Sequence, residues 1–74
     1  MGKASIRNQI RRLRFEHDEM TQQQLADRVG VTRQTIVAIE NAKYFPTLEL
    51  AFRIARVFQQ PLEAVFTFEE EEDR

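Results

Sequence analysis

The 74-residue chain has no cysteine, one histidine and only two glycines, Gly2 and Gly30. Without cysteine there is neither a disulfide framework nor a thiolate metal site, and a single histidine cannot complete a zinc site. Two separated glycines cannot form a phosphate-binding glycine loop. No apolar run approaches the roughly 20 residues of a membrane span, and the N-terminus lacks the apolar region of a secretory signal. The chain also offers no nucleophile beside a base and no paired carboxylates in a pocket-forming context. The expectations are therefore a cytoplasmic protein with no metal, no cofactor, no membrane contact and no catalytic residue. One compact domain with a modest core fits this length, sustained by efficient helix packing or by a partner chain.

What the chain does have is concentrated between Thr21 and Asn41, in TQQQLADRVGVTRQTIVAIEN. Thr21 followed three residues later by Gln24 forms a capping box, and Met20 with Leu25 stands where a hydrophobic staple is expected. Leu25, Ala26 and Val29 share one face. Gly30 then occupies the position where a helix ends in left-handed backbone. This predicts a helix from about Gln22 to Val29. The grammar repeats at once, with Val31 outside, Thr32 as cap and Ile36 at the staple position. Small Ala26 and the turn at Gly30 let the two helices cross steeply, as a helix-turn-helix does.

The second of these helices turns Ile36 and Ile39 inward. At about 100° per residue, Gln34, Val37, Ala38 and Asn41 fall on the other side, with Arg33 on the flank. A free surface helix usually carries Lys and Glu there, whereas this one carries short or hydrogen-bonding side chains. Gln matches adenine N7 and N6, Arg matches guanine N7 and O6, and Val37 or Ala38 can meet a thymine methyl. Thr32, Arg33 and Gln34 are the expected base readers, with Val37 and Ala38 beside them. Thr32 is also explained by capping. Gln34 has neither a capping nor a core reason.

Before this pair, Ile6, Ile10, Leu13, His17 and Met20 recur at spacings of four and three, predicting a first helix that ends near His17 or Asp18. His17 closes that apolar stripe, where a partly buried, hydrogen-bonded imidazole is expected rather than a ligand. Arg7, Arg11 and Arg12 are either a solvated face or phosphate contacts. Arg14 lies beside the stripe while Glu40 flanks the inward face of the later helix, so the two can meet. After Asn41, Pro46 disfavours helix at Phe45 and Thr47 caps a fourth helix with Leu50, Ala51, Ile54, Ala55, Val57 and Phe58 on a wide apolar face. Pro61 suits a first helical position and Leu62 to Phe66 allow one or two turns. Val65 to Phe68 alternate like a short strand. Phe15 and Phe45 find no assignment.

Residues Gln22, Ala26, Gly30, Ile36 and Ile39, with VTRQTI and ENAKYFPTLELAFRIARVF, resemble the lambda repressor and Cro class, the xenobiotic response element regulators, and above all its very small stand-alone members. The resemblance runs from about Ile6 to Phe68. It implies an all-α fold, a compact five-helix DNA-binding domain over residues 1–68, with a short C-terminal strand paired to the N-terminal segment. It implies an ion pair between Arg14 and Glu40 that braces helix one against the recognition helix. Gln22 matches the family's phosphate contact at a helix N-terminus, and Asn41, Lys43 and Tyr44 match further ones. A twofold dimer is implied near the terminal strand, for which Phe58, Leu62, Val65, Phe66 and Phe68 are the candidates. The expected function is sequence-specific regulation of transcription, as a repressor bound to an inverted repeat of double-stranded DNA. The alternative is a protein adaptor, coactivator or antitoxin that uses the same fold toward an unknown protein partner.

The formal charge of −1 argues against a nucleic-acid partner only as an average. Residues 1–68 hold ten basic and seven acidic side chains, whereas Glu69–Arg74 hold five acids and one base. The body is mildly basic. The last six residues read as a solvated, disordered acidic tail, with competition against DNA as a minority use.

Overall fold

The computed structural model describes residues 3–71, in the order β1 (Lys3–Asn8), α1 (Ile10–Glu16), α2 (Gln22–Val29), α3 (Arg33–Glu40), α4 (Leu48–Val57), α5 (Leu62–Val65) and β2 (Phe66–Glu71). Three of the helices begin at a threonine in extended backbone, whose hydroxyl accepts from the NH three residues on: Gln24 N to Thr21 at 3.0 Å, Thr35 N to Thr32 at 3.3 Å and Leu50 N to Thr47 at 3.2 Å. The Gln24 side chain accepts in return from the Thr21 NH at 2.9 Å, completing the capping box. Gly30 ends α2 with φ +80°, and its NH reaches the Ala26 carbonyl at 2.8 Å. Pro61 is the cap of α5 rather than its first helical residue.

The N-terminal segment forms the strand pairing with the C-terminal strand that the family resemblance implied, and departs from the helical spacing read for Ile6. Ile6 and Arg7 do not belong to the first helix; they lie in β1, which pairs antiparallel with β2 and sets Ile6 opposite Phe68 and Arg7 opposite Thr67. Ile6 stands four residues before Ile10, so the local spacing suits a helix equally well. The strand that claims it lies some 60 residues further on, beyond the reach of any local pattern. Asn8 makes the break: its Oδ1 accepts from the Ile10 NH at 3.2 Å and its Nδ2 donates to the Ile39 carbonyl at 3.0 Å. This side chain starts α1 and ties it to the end of α3.

The same pairing corrects the C-terminal boundary. β2 continues past Phe68 to Glu71, so residues 69–71 are strand rather than the start of a disordered tail. Ladder hydrogen bonds to β1 and the ion pair from Arg7 Nε to Glu69 Oε1 at 2.8 Å favour the extended backbone there. Residues 72–74, the rest of that expected tail, lie outside the described residues.

The core is wholly apolar among the described residues. Ile10 and Leu13 of α1, Leu25, Ala26 and Val29 of α2, Ile36 and Ile39 of α3, and Ile54, Ala55 and Phe58 from α4 and its end pack together with Met20 and Val65. α2 sits against both α3 and α4, and Ala26, fully buried, lets the α2 backbone come close. His17 is half-buried at the edge of this core, its Nδ1 3.0 Å from the Leu13 carbonyl and its ring edge-on to Phe58 at 5.2 Å.

Five described residues hold left-handed backbone, Asp18, Glu19, Gly30, Ala42 and Gln59, and two of them contrast in chemistry. Gly30 does so at no steric cost, whereas Ala42, with φ +58° just after α3, carries a Cβ and no polar side chain to compensate. A Cβ on Gly30 would meet nothing nearer than Arg53 Nη1 at 3.9 Å, so backbone strain alone decides its replacement. Gly30→Ala should destabilise the fold by about 1 kcal/mol, and Ala42→Gly should leave it equally or more stable. Urea unfolding of the two variants checks the contrast in sign.

Candidate nucleic-acid interface

α3 is presented by what holds it from behind. Ile36 and Ile39 anchor one side in the core, and Glu40 at the C-terminal end reaches across to α1. Arg14 Nε donates to Glu40 Oε2 at 2.7 Å and Nη2 donates to Oε1 at 3.1 Å, a fork-to-fork pair whose side chains are only 15% and 8% exposed. The third guanidinium nitrogen donates to the Met20 carbonyl at 2.8 Å, just before α2, and Gln22 Nε2 donates to Glu40 Oε1 at 3.2 Å. One buried carboxylate thus joins α1, the start of α2 and the end of α3. The pair is geometrically satisfied, with no buried side-chain polar atom left without a partner among the described residues.

The opposite side of α3 is open. Thr32, Arg33 and Gln34 are exposed at its first turn, while Val37 and Ala38 are half-buried further along. Thr32 is engaged as the helix cap and its hydroxyl also lies 3.1 Å from that of Thr35, whereas Arg33 and Gln34 have no side-chain hydrogen bond among the described residues. The chain after α3 is fixed by backbone bonds: the NH groups of Lys43 and Tyr44 reach the Ala38 carbonyl at 2.9 and 3.3 Å. Asn41, Lys43 and Tyr44 are therefore exposed side chains on a loop locked to the end of the helix.

Between the starts of α2 and α3 lies a depression of about 640 Å³, whose lining includes Arg11, Gln22, Gln23, Arg33 and Asn41, floored by the Arg14 and Glu40 pair. It brings together Gln22, Arg33 and Asn41 from the expected contact set and adds Arg11, whose role the helix-one pattern left open. Since Arg14 and Glu40 neutralise each other, the remaining charges are Arg11 and Arg33 against Glu19, a cationic balance suited to an anionic backbone. Gln23 was not singled out from the sequence, and its side chain is committed to Asp27 at 2.9 Å. Tyr44 lies elsewhere, in a second depression of about 290 Å³ beside Gly30, Val31 and Leu50.

The expected dimer residues do not share one exposed surface. Phe58 and Val65 are 1% and 0% exposed, filling the chain's own core, which removes them from any contact with a second copy. Leu62 and Phe66 are half-buried and packed against that core. Phe68 alone of the five stands well exposed, at 64%. The sequence pattern marks all of them as apolar, but only the tertiary packing separates core from surface. Among the described residues no helix is long and apolar enough to cross a membrane, and no three His, Asp or Glu side chains group as metal ligands do.

Residues 10–65 match the family model described as Helix-turn-helix. Over 67 residues the chain is 51% identical to an uncharacterized HTH-type transcriptional regulator of Archaeoglobus fulgidus, covering 90% of this chain and 93% of that one. It is 45% identical over 67 residues to another of that description in Methanocaldococcus jannaschii, covering 90% and 100%. A Bacillus subtilis protein of the same description is 42% identical over 66 residues, covering 89% and 98%.

Removing either side of the central ion pair strands a mostly buried charge. Arg14→Ala should destabilise the protein by about 3 kcal/mol or more, because the Glu40 carboxylate would lose both its fork partner and part of its screening from the core. Thermal unfolding against the parent chain checks this; an unchanged melting temperature would show that the brace contributes nothing.

Proposed function

Because the chain belongs to the lambda repressor and Cro-like helix-turn-helix family, we propose that it regulates transcription by binding a specific double-stranded DNA site as a homodimer, with α3 in the major groove. The observation that carries this reading is the open first turn of α3, where Arg33 and Gln34 are exposed and unengaged on a helix held rigidly from behind. Recognition helices of this type touch base edges with their N-terminal residues. Gln34 would take adenine and Arg33 guanine, with Thr32 dividing its hydroxyl between capping and contact, and Val37 and Ala38 offering small apolar surface to thymine methyls. Each good bidentate contact contributes about 1–3 kcal/mol of discrimination.

Gln22, Asn41, Lys43 and Tyr44 would hold phosphates on either side, with Arg11 and Arg33 supplying charge to the depression between α2 and α3. Gln22 can serve while bonded to Glu40, since its amide nitrogen carries a second proton and it stands at the start of α2. One α3 reads only a few base pairs. Two copies about 34 Å apart on an inverted repeat double the contacts and give the site its specificity. Occupation of a promoter by such a dimer blocks polymerase, which makes repression in the cytoplasm the proposed output.

Selection from random duplex DNA with the purified protein should enrich an inverted repeat, and Gln34→Ala should lose preference at one position of each half-site while its circular dichroism stays that of the parent. Equal enrichment by both proteins would remove Gln34 from the reading. Lys43→Ala should instead weaken all sequences alike and lower the slope of log affinity against log salt by about one unit.

A further inference from the structure

Three large apolar side chains are exposed within eight residues of chain: Phe45, Leu48 and Phe52, at 54%, 66% and 53%. Leu48 and Phe52 stand one turn apart on α4 and so share its outer face, away from Ala51, Ile54 and Ala55 in the core. Arg56 is the next residue on that stripe, and a groove of about 330 Å³ beside Phe52 is lined by Glu49, Arg53 and Arg56. Each of the three apolar side chains leaves about 100 Å² open, a patch of roughly 300 Å² of the kind that marks an interaction surface.

We infer that this outer face of α4 is where a second copy of the chain docks, with the two α4 helices antiparallel across a twofold axis at Phe52. The inference rests on the homodimer reading above and names its interface. The charges on α4 are ordered for such a contact. With Phe52 on the axis, Glu49 of one copy comes beside Arg56 of the other, twice, while Leu48 lies on the aliphatic stem of the opposing Arg56. Among the described residues Arg56 pairs with no carboxylate of its own chain. Glu49 meets only Arg53, in an exposed pair one turn apart that holds it weakly. An acid, an apolar centre and a base in that order along one helix is self-complementary when the helix is turned end over end.

The terminal sheet offers no equal surface. Phe68 is the single large apolar side chain exposed on the described sheet, so it offers less apolar surface than Phe45, Leu48 and Phe52 together. With its charged rim the α4 face comes to about 500 Å² per copy, the low end of specific interfaces, so the free dimer is a weak, micromolar one that DNA holds together.

The test is sedimentation velocity of the full chain across the micromolar range, with E49R, R56E, the double variant E49R/R56E, and F52A. All four alter exposed or half-exposed positions, and circular dichroism confirms the fold. Each charge reversal alone should raise the dimer dissociation constant roughly tenfold, F52A at least as much, and the double variant should return to near the parent value. A parent dimer indifferent to all four variants would overturn the α4 interface while leaving the homodimer standing. A double variant no better than its singles would overturn the antiparallel arrangement. A parent chain monomeric at every concentration, and bound singly to its selected DNA, would overturn both.

Discussion

The carboxylate of Glu40 sits where three helices meet, and the orientation of α3 depends on it. It accepts two bonds from Arg14 and one from Gln22, while Arg14 spends its remaining nitrogen on the Met20 carbonyl. A charge so nearly enclosed is tolerable because both carboxylate oxygens find donors. The consequence is geometric more than energetic. Apolar contacts at Ile36 and Ile39 hold α3 against the core, and the bidentate pair at its last turn adds a directional constraint. In the proposed DNA-bound role, side chains read base edges only if their helix arrives at a set angle, so a buried brace at one end of α3 would serve the exposed turn at the other.

The remainder of the molecule shows how a short chain manages a small interior. Twelve apolar residues form one cluster; the chain has no cysteine for a disulfide, and among the described residues no His, Asp or Glu side chains group as metal ligands do. The ends of the chain close the structure instead: β1 and β2 pair, the Gln9 NH reaches the Val65 carbonyl at 2.8 Å, and Asn8 ties the strand to α3. A two-stranded ribbon is marginal by itself, and here the bonds of Gln9 and Asn8 tie its end to α5 and α3. Apolar side chains that this interior does not take up, on the outer face of α4, lie at the surface with Glu49, Arg53 and Arg56 beside them.

Much of this was legible from residue order alone, because the signals are local. Threonine caps, the capping box with Gln24, the glycine stop at Gly30 and the 3.6-residue periodicity of Leu25, Ala26, Val29, Ile36 and Ile39 each act within a few residues, so they mark α2 and α3 in a linear reading. The outer face of α3, and with it Arg33 and Gln34, follows from the same periodicity. Ile6 was assigned to a helix because its partner, Phe68, is remote in sequence; strand pairing is a long-range bond that local spacing does not contain. Phe58 and Val65 read as interface for a related reason, since an apolar residue at the end of the chain carries no mark of whether its own core or another copy will cover it.

The sequence by itself determined the four main helices, the turn between α2 and α3 and the identity of the side chains offered to solvent on α3, all consequences of backbone capping and side-chain periodicity over one or two turns. Tertiary structure alone decided the register of the terminal strands, how far β2 runs, which phenylalanines are spent inside and that Arg11 joins Gln22, Arg33 and Asn41 around one depression. Those outcomes depend on distances between residues far apart in the chain, set by how twelve apolar side chains of fixed shape fill one volume.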